Sequence, residues 1–210
     1  MTHEENKQEV MQLFDNHILK YIVSDLIKLN SIMADENGVG GCSIPQAIST
    51  FSALDFVGYL THSQDMSVMS MSFSDLLKNE NYFPSLKSYV NHSNFSKIFR
   101  DDYRSFMVHR YSMTKFNISK INVDELFLEE NSNVIFNVFY FTKITIEAIL
   151  KIYDEIIKDT FTINMNSNEQ SIEKVKNRIT NLKNYNEANF LAFDSLLPNT
   201  TITQTTSSLG

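Results

Sequence analysis

The sequence predicts an all-α fold: a bundle of five to seven helices with a small β-hairpin near residues 115–129. Only five glycines and three prolines occur in 210 residues, too few for the many turns of an all-β fold. Apolar residues recur at three- and four-residue steps over long segments, which is the pattern of amphipathic helices. Because 42% of the residues are hydrophobic, the chain can bury a sizeable core.

The first helix is predicted from about Glu4 to Met33. The apolar residues of its stripe are Val10, Phe14, Ile18, Tyr21, Ile22, Leu29 and Met33. Their spacing fits one face of a helix that packs against a core. His17 falls on the same stripe, and we expect it in the core rather than at a binding site.

The second helix, from about Ile44 to His62, is apolar on nearly every side and should lie in the middle of the bundle. It also carries a polar stripe of Ser52, Asp55, Tyr59 and His62. Buried polar groups need partners, so this stripe either borders a cleft or faces water. Asp55, Tyr59 and His62 are therefore a secondary candidate cleft, in which Asp55 would orient a histidine or line a nucleotide site.

The second half of the chain contains the predicted hairpin and two further helices. The segments KFNISKI and ELFLEE alternate loosely and suggest the hairpin, and a long helix should follow from Asn133 to about Lys158. A polar helix is expected near Glu169–Tyr185, with Ser167 and Gln170 spaced as a capping box. We expect one domain over residues 1–195 and a disordered tail over residues 196–210.

Charge and cysteine content narrow the class of protein. The net charge of −7 disfavours a protein that coats nucleic acid through its overall field, although a local patch could still bind it. Cys42 is the only cysteine, so neither an internal disulfide nor a cysteine-based zinc site can form. No histidine–carboxylate set has convincing metal spacing, and only the pair His62-x2-Asp65 stays open. No signal peptide and no apolar stretch of membrane-spanning length is visible, so we expect a cytoplasmic protein with no membrane partner, metal or cofactor.

A local basic stripe stands out against this acidic background. On a regular helix, Lys97, Arg100, Arg104, Tyr111 and Lys115 lie along one side. Cationic side chains around a tyrosine can hold phosphates and stack a base. We take Lys97, Arg100, Arg110 and Lys115 as candidate RNA-binding residues. The alternative is an ordinary solvated face of an amphipathic helix.

The same segment contains the pattern Arg104-x4-His109-x-Tyr111. A histidine exchanges protons near neutral pH, and an arginine presents a fixed fork of donors that matches a phosphate. Cleaving RNA without a metal needs both functions: deprotonation of a ribose 2′-hydroxyl and stabilisation of the attacked phosphate.

The motif resembles that of the HEPN superfamily (higher eukaryotes and prokaryotes nucleotide-binding), small all-α domains marked by Arg-x4-6-His. The resemblance spans roughly Ile44 to Lys158. Many HEPN members are metal-independent ribonucleases, and the trailing x-Tyr resembles HEPN toxins paired with a minimal nucleotidyltransferase antitoxin that adenylylates the tyrosine. The resemblance implies that Arg104 and His109 are the catalytic pair and that Tyr111 is a modification site. Many active members have Asn, Asp or His after the arginine, where this chain has Ser105.

Helix geometry constrains how such a pair could act. Five residues of α-helix rotate the side chain by about 500°, so Arg104 and His109 should point about 140° apart. The helix must bend or end between them, or two copies must pool their motifs across a two-fold axis. HEPN ribonucleases are thought to do the latter, which implies a homodimer. Two other readings stay open: a non-catalytic HEPN-like module that binds a nucleotide or a partner protein, and an unrelated helical interaction protein.

Overall fold

The computed structural model describes residues 2–33, 41–62, 75–90, 117–130, 133–163 and 166–194. This part of the chain is mostly helical, which confirms the predicted all-α class. Its helices are α1 (His3–Leu13), a π-helix (Phe14–Val23), α2 (Ser24–Ser31), α3 (Ser43–Thr61), a 3-10 turn (Pro84–Leu86), α4 (Lys87–Val90), α5 (Val138–Ile157) and α6 (Asn168–Asp194). No helix within these ranges is long and apolar enough to cross a bilayer. The domain boundaries 1–195 and 196–210 stay predictions, and residues 196–210 lie outside the described ranges.

The predicted first helix is continuous from α1 through the π-helix to α2. It begins with a capping box between Thr2 and Glu5. Its buried stripe includes Val10 and Val23, thirteen residues apart. On a regular α-helix thirteen residues would turn Val23 about 220° away from Val10. The π-helix, which has more residues in each turn, brings both onto the side that faces the core.

This change of helix type corrects the expectation for His17. Phe14 and Ile18 on either side of it are fully buried, whereas His17 is exposed. Tyr21 and Met33, also expected on the apolar stripe, are 54% and 46% exposed. The prediction was wrong for His17 and Tyr21 because it assumed a constant α-helical rotation over the whole segment, and for Met33 because the helix ends at Ser31.

Helix α3 lies in the middle of the core, as its apolar composition predicts, and packs against α2, α5 and α6. Phe51 of α3 contacts Phe141 of α5 with ring centroids 5.0 Å apart, and Phe136 lies 5.2 Å from Phe141. Helix α1 packs along α6. The fully buried aromatic and aliphatic side chains form one cluster that joins all the long helices.

A closed ring of hydrogen bonds crosses the buried α3–α5 contact. Gln46 donates from Nε2 to Thr142 Oγ1 at 2.9 Å, and Thr142 lies 2.9 Å from Thr50 Oγ1. Thr50 in turn donates to the main-chain carbonyl of Gln46 at 2.8 Å. Because Thr50 uses its only proton on that carbonyl, it must accept the hydrogen bond from Thr142. Each of the two hydroxyls therefore donates one bond and accepts one.

The small β element has three strands: β1 (Asn117–Ser119), β2 (Phe127–Glu130) and β3 (Asn133–Asn137). The strand order is β1-β3-β2, with β1 parallel and β2 antiparallel to β3. A small β element near residues 115–129 is thus confirmed, but its two strands there pair through β3 instead of with each other. The hairpin is β2–β3, and residues 133–137, predicted as the start of a helix, form its second strand.

Asn137 marks the point where β3 ends and α5 begins. Its buried side-chain amide accepts from Ile121 N and donates to the carbonyls of Ile121, Val123 and Glu125. These bonds hold the loop between β1 and β2 against the end of β3. The capping box of Ser167 and Gln170 before α6 is also present. Helix α6 runs nine residues past the predicted end at Tyr185, to Asp194.

Candidate functional site

The predicted catalytic and RNA-binding residues all lie in the segment 91–116, outside the described residues. These are Lys97, Arg100, Arg104, His109, Arg110, Tyr111 and Lys115. Their roles stay predictions. The sites that the structure does describe are the secondary candidate cleft on α3 with its surrounding network, the contacts of Lys120, a cluster around Asp159, and a groove between the first long helix and α6.

The face of α3 predicted to border a cleft or face water is interior at its C-terminal end and open at its N-terminal end. Tyr59 and His62 are 4% and 8% exposed, while Asp55 is half-buried and Ser52 is exposed. Their spacing does place them along one side of α3, as predicted. Near Tyr59 and His62 that side packs against α6 and the segment around residues 79–82, which explains why these two side chains are covered.

The hydrogen bonds around His62 fix which of its nitrogens carries the proton. Asn81 N donates to Asn79 Oδ1 at 3.0 Å, so the amide nitrogen of Asn79 faces His62 Nε2 at 3.2 Å. Because Asn79 Nδ2 can only donate, Nε2 must accept. Thr61 donates its hydroxyl to Val57 O at 2.7 Å, and its oxygen is therefore the acceptor for His62 Nδ1–H, also at 2.7 Å.

His62 is therefore a neutral imidazole with both ring nitrogens occupied. Burial, aided by the charge of Arg178, lowers the pKa of His62 to about 4. A histidine held in this state does not exchange protons at neutral pH. Its role is to join the end of α3 to the segment that carries Asn79.

The side chains around His62 extend the same interior network. Tyr82 packs edge-on against the His62 ring, with centroids 5.3 Å apart, and donates its hydroxyl to Glu155 at 2.5 Å. Arg178 is buried and donates from Nη1 to Leu60 O at 2.8 Å. Burial lowers the pKa of Arg178 and, together with the Glu155 hydrogen bond, raises that of Tyr82. The cluster links α3, α5 and α6 and serves the fold.

The side chain of Lys120 binds the C-terminal end of the first long helix. Its buried ammonium donates to Leu29 O at 2.7 Å and to Ile32 O, so it satisfies carbonyls at the end of α2. Burial lowers the pKa of Lys120. Sequence spacing cannot reveal this contact, because Lys120 and Leu29 are 91 residues apart.

One cluster among the described residues has the donor set of a metal site: His3, Glu4 and Asp159. Asp159 already binds Lys7 Nζ at 2.5 Å and His3 Nε2 at 3.2 Å. Lys7 also donates to Ile157 O at 2.9 Å. The arrangement joins the start of α1 to the end of α5 through ion pairs.

A groove runs between the first long helix and α6, and we name it the α1–α6 groove. Its apolar compartment has a volume of about 490 Å³ and is lined by Leu13, Tyr21, Ile22, Phe56, Ile179 and Leu182, with the exposed His17 and Lys183. An adjoining polar compartment of about 330 Å³ shares His17 and Lys183 and adds Glu9, Gln12 and Asn16. Volumes of this size are usual for sites that bind small molecules.

Aromatic and charged groups meet along the groove. The rings of His17 and Tyr21 lie 6.3 Å apart at 35°, and Lys20 Nζ lies 5.4 Å from the centre of the Tyr21 ring. Glu9 binds buried Lys176, and this hydrogen bond holds the pKa of Glu9 below its usual value. The sequence did not single out this site. The four-residue step from His17 to Tyr21 puts both on one helix face, but only the structure shows that this face is open.

No protein-family model, curated protein or solved structure matches this chain.

Proposed function

We propose that the chain is a HEPN-like, metal-independent endoribonuclease that acts as a toxin or phage-defence effector. The observation that carries the proposal is the spacing Arg104-x4-His109-x-Tyr111 in a mostly helical chain. Although the net charge of the protein is −7, cationic residues are concentrated around this motif. They would bind the RNA backbone and include Lys97, Arg100, Arg110 and Lys115.

The proposed reaction needs only proton transfer and charge stabilisation. His109 takes the proton of a ribose 2′-hydroxyl, and the 2′-oxygen attacks the adjacent phosphorus. The bond from phosphorus to the 5′-oxygen of the next nucleotide breaks, and that oxygen takes the proton from the protonated imidazole of His109, which restores the neutral base. Arg104 binds the phosphate oxygens as negative charge builds on them. The products are a 2′,3′-cyclic phosphate and a 5′-hydroxyl.

The three described histidines are poorly suited to the proposed role, and of the other two, His92 and His109, only His109 has an arginine five positions before it. His62, which has the best-defined surroundings, is neutral and uses both ring nitrogens in structural hydrogen bonds. His3 is tied to Asp159 at the contact between α1 and α5. His17 lies in the α1–α6 groove, and no arginine precedes it in the chain.

Partners follow from the same proposal. Two copies would pool Arg104 and His109 across a two-fold axis, since the two side chains of one regular helix point apart. A nucleotidyltransferase antitoxin would silence the pair by moving an adenylyl group from ATP to the Tyr111 hydroxyl, with pyrophosphate released. The single cysteine is consistent with a cytoplasmic setting, where thiols stay reduced.

A second candidate is a non-catalytic HEPN-like module that binds a nucleotide or a partner protein. The observation that favours it is the α1–α6 groove, which joins an apolar compartment to a polar one on the open side of two helices. Under this reading Ser105, in the place where many active members carry Asn, Asp or His, marks a motif without activity.

Cleavage of a mixed RNA in excess chelator tests the proposal. Wild type should cut, whereas Arg104→Ala and His109→Ala should lose about 10²-fold or more of the rate without loss of helicity. His92→Ala is the matched control, because it removes a histidine of the same segment that lies outside the motif. Equal cleavage by all four proteins, or none by folded and unmodified wild type, would favour the binding module.

A further inference from the structure

We propose that His3, Glu4 and Asp159 form a binding site for a divalent metal ion of the zinc type, which joins the start of α1 to the end of α5. Neither the proposed RNA cleavage nor the α1–α6 groove uses these residues. The inference therefore does not rest on the proposed function, and binding measurements without RNA test it.

Two donor atoms of the cluster already have the separation that a zinc site requires. His3 Nε2 lies 3.2 Å from Asp159 Oδ1. Zinc holds nitrogen and oxygen donors at about 2.0–2.2 Å, so two of them at a tetrahedral angle lie about 3.3–3.5 Å apart. A metal ion can therefore replace the contact between these two atoms with little movement of either side chain.

Glu4 supplies the third donor. One ligand atom from each of His3, Glu4 and Asp159 lies within 4.8 Å of the other two. Glu4 is exposed, and within the described residues no side-chain hydrogen bond or ion pair engages it, so its carboxylate can rotate toward the ion. Three protein ligands leave a fourth position, which water would hold.

The hydrogen bonds of His3 leave its tautomer open. Both ring nitrogens of His62 have partners, whereas His3 has one only at Nε2. Within the described residues its Nδ1 has none, although that atom is buried. The ring proton can therefore sit on Nδ1 and leave Nε2 to the metal. Because metal-binding histidines usually donate from the other nitrogen to an acceptor, we expect micromolar rather than nanomolar affinity.

The charges of the cluster favour a cation. It holds two carboxylates, those of Glu4 and Asp159, and one ammonium, that of Lys7, which lies 2.5 Å from Asp159 Oδ2. With a neutral imidazole the cluster therefore keeps one negative charge. Lys158, the residue before Asp159, is paired with Asp154 at 2.7 Å. The last carbonyls of α5 add partial negative charge to the same end of the molecule.

The donor set selects the kind of ion. One imidazole with two carboxylates suits Zn²⁺, whereas Mg²⁺ and Ca²⁺ prefer about six or more oxygen donors. His3 and Asp159 are 156 positions apart in the sequence, so the unfolded chain does not hold the donors together. The ion should therefore bind the folded protein and stabilise it. The same separation explains why spacing in the sequence could not reveal this site.

Zinc binding is measured by isothermal titration calorimetry on protein without a histidine tag, dialysed first against chelator and then against chelator-free buffer. The variants His3→Gln, Glu4→Gln and Asp159→Asn each remove one donor. Asparagine suits position 159 because the backbone there has a φ of 56°, which asparagine tolerates. The matched controls, His17→Gln and Asp154→Asn, remove an exposed histidine and an exposed carboxylate outside the cluster.

We expect wild type to bind zinc saturably and Mg²⁺ at the same concentration not to bind. Each of the three donor variants should weaken zinc binding about tenfold or more, while both controls should bind like wild type. Lys7→Gln removes an ammonium that shares the Asp159 carboxylate with the ion, so it should tighten zinc binding about threefold or more. Saturating zinc should raise the melting temperature of wild type but not that of Asp159→Asn.

Three results would overturn the proposal. The first is neither a heat of binding nor a rise in melting temperature for folded wild type at millimolar zinc. The second is equal affinity in wild type, His3→Gln and Asp159→Asn, which would place the ion elsewhere. The third is unchanged or weaker binding to Lys7→Gln, which would mean that the ion does not share the Asp159 carboxylate. Circular dichroism of each variant confirms that the comparison is made between folded proteins.

Discussion

Acidification from pH 7 to pH 5 should destabilise the folded protein through His62. An unfolded histidine has a pKa near 6.5, and burial lowers the folded pKa of His62 to about 4. Between these values the unfolded chain binds a proton that the folded chain does not, so stability falls as the pH falls. His62 should contribute about 2 kcal/mol to this loss at pH 5 and about 3 kcal/mol once the pH is below 4.

Urea unfolding followed by circular dichroism at pH 7 and pH 5 measures this effect. His62→Gln removes the titrating group, so its free energy of unfolding should lose about 2 kcal/mol less than that of wild type over this interval. His17→Gln, at an exposed histidine, is the control and should follow wild type. Equal pH dependence in wild type and His62→Gln, or an NMR titration of His62 near pH 6.5, would refute the buried neutral imidazole.

Three further substitutions test other contacts. Asn79→Asp places a carboxylate against Nε2 and should raise the pKa of His62 well above 4, which NMR titration of the ring would show; an unchanged pKa would contradict the assigned proton positions. Thr50→Val opens the hydrogen-bonded ring between α3 and α5 and should cost about 1–3 kcal/mol in urea unfolding, whereas a change near zero would mean that the ring adds no stability. Lys120→Met leaves carbonyls at the end of α2 without their donor and should cost about 1.5–3 kcal/mol. Its control, Lys28→Met at an exposed position, should stay within about 0.5 kcal/mol, and equal losses would contradict the role of Lys120.

The long helices could be predicted because their patterns are local. Apolar spacing located the first helix and α3, and Ser167 with Gln170 located the start of α6. The run Val134–Phe141 is apolar except for Asn137 and could not be divided from sequence, since such a run fits a buried strand or a buried helix equally well. Only the long-range bonds of Asn137 show where strand changes to helix.

Whether the residues of the described candidate sites are buried or exposed could not be predicted from the sequence. The face shared by Asp55, Tyr59 and His62 was visible in the sequence, but whether water or protein covers it depends on α6, more than a hundred residues further along. The exposure of His17 and Tyr21 depends on the π-helix, which the apolar spacing alone did not distinguish from an α-helix. Both sites therefore required the packed structure.

The endoribonuclease proposal is tested most directly by the chemistry of the RNA ends. Wild-type protein is first checked by intact mass, because an adenylyl group on Tyr111 would silence it, and is then incubated with RNA in excess chelator. We predict fragments with 2′,3′-cyclic phosphate and 5′-hydroxyl ends from wild type and none from His109→Ala. Intact RNA after incubation with unmodified, folded wild type, or the same fragments from His109→Ala, would contradict the account.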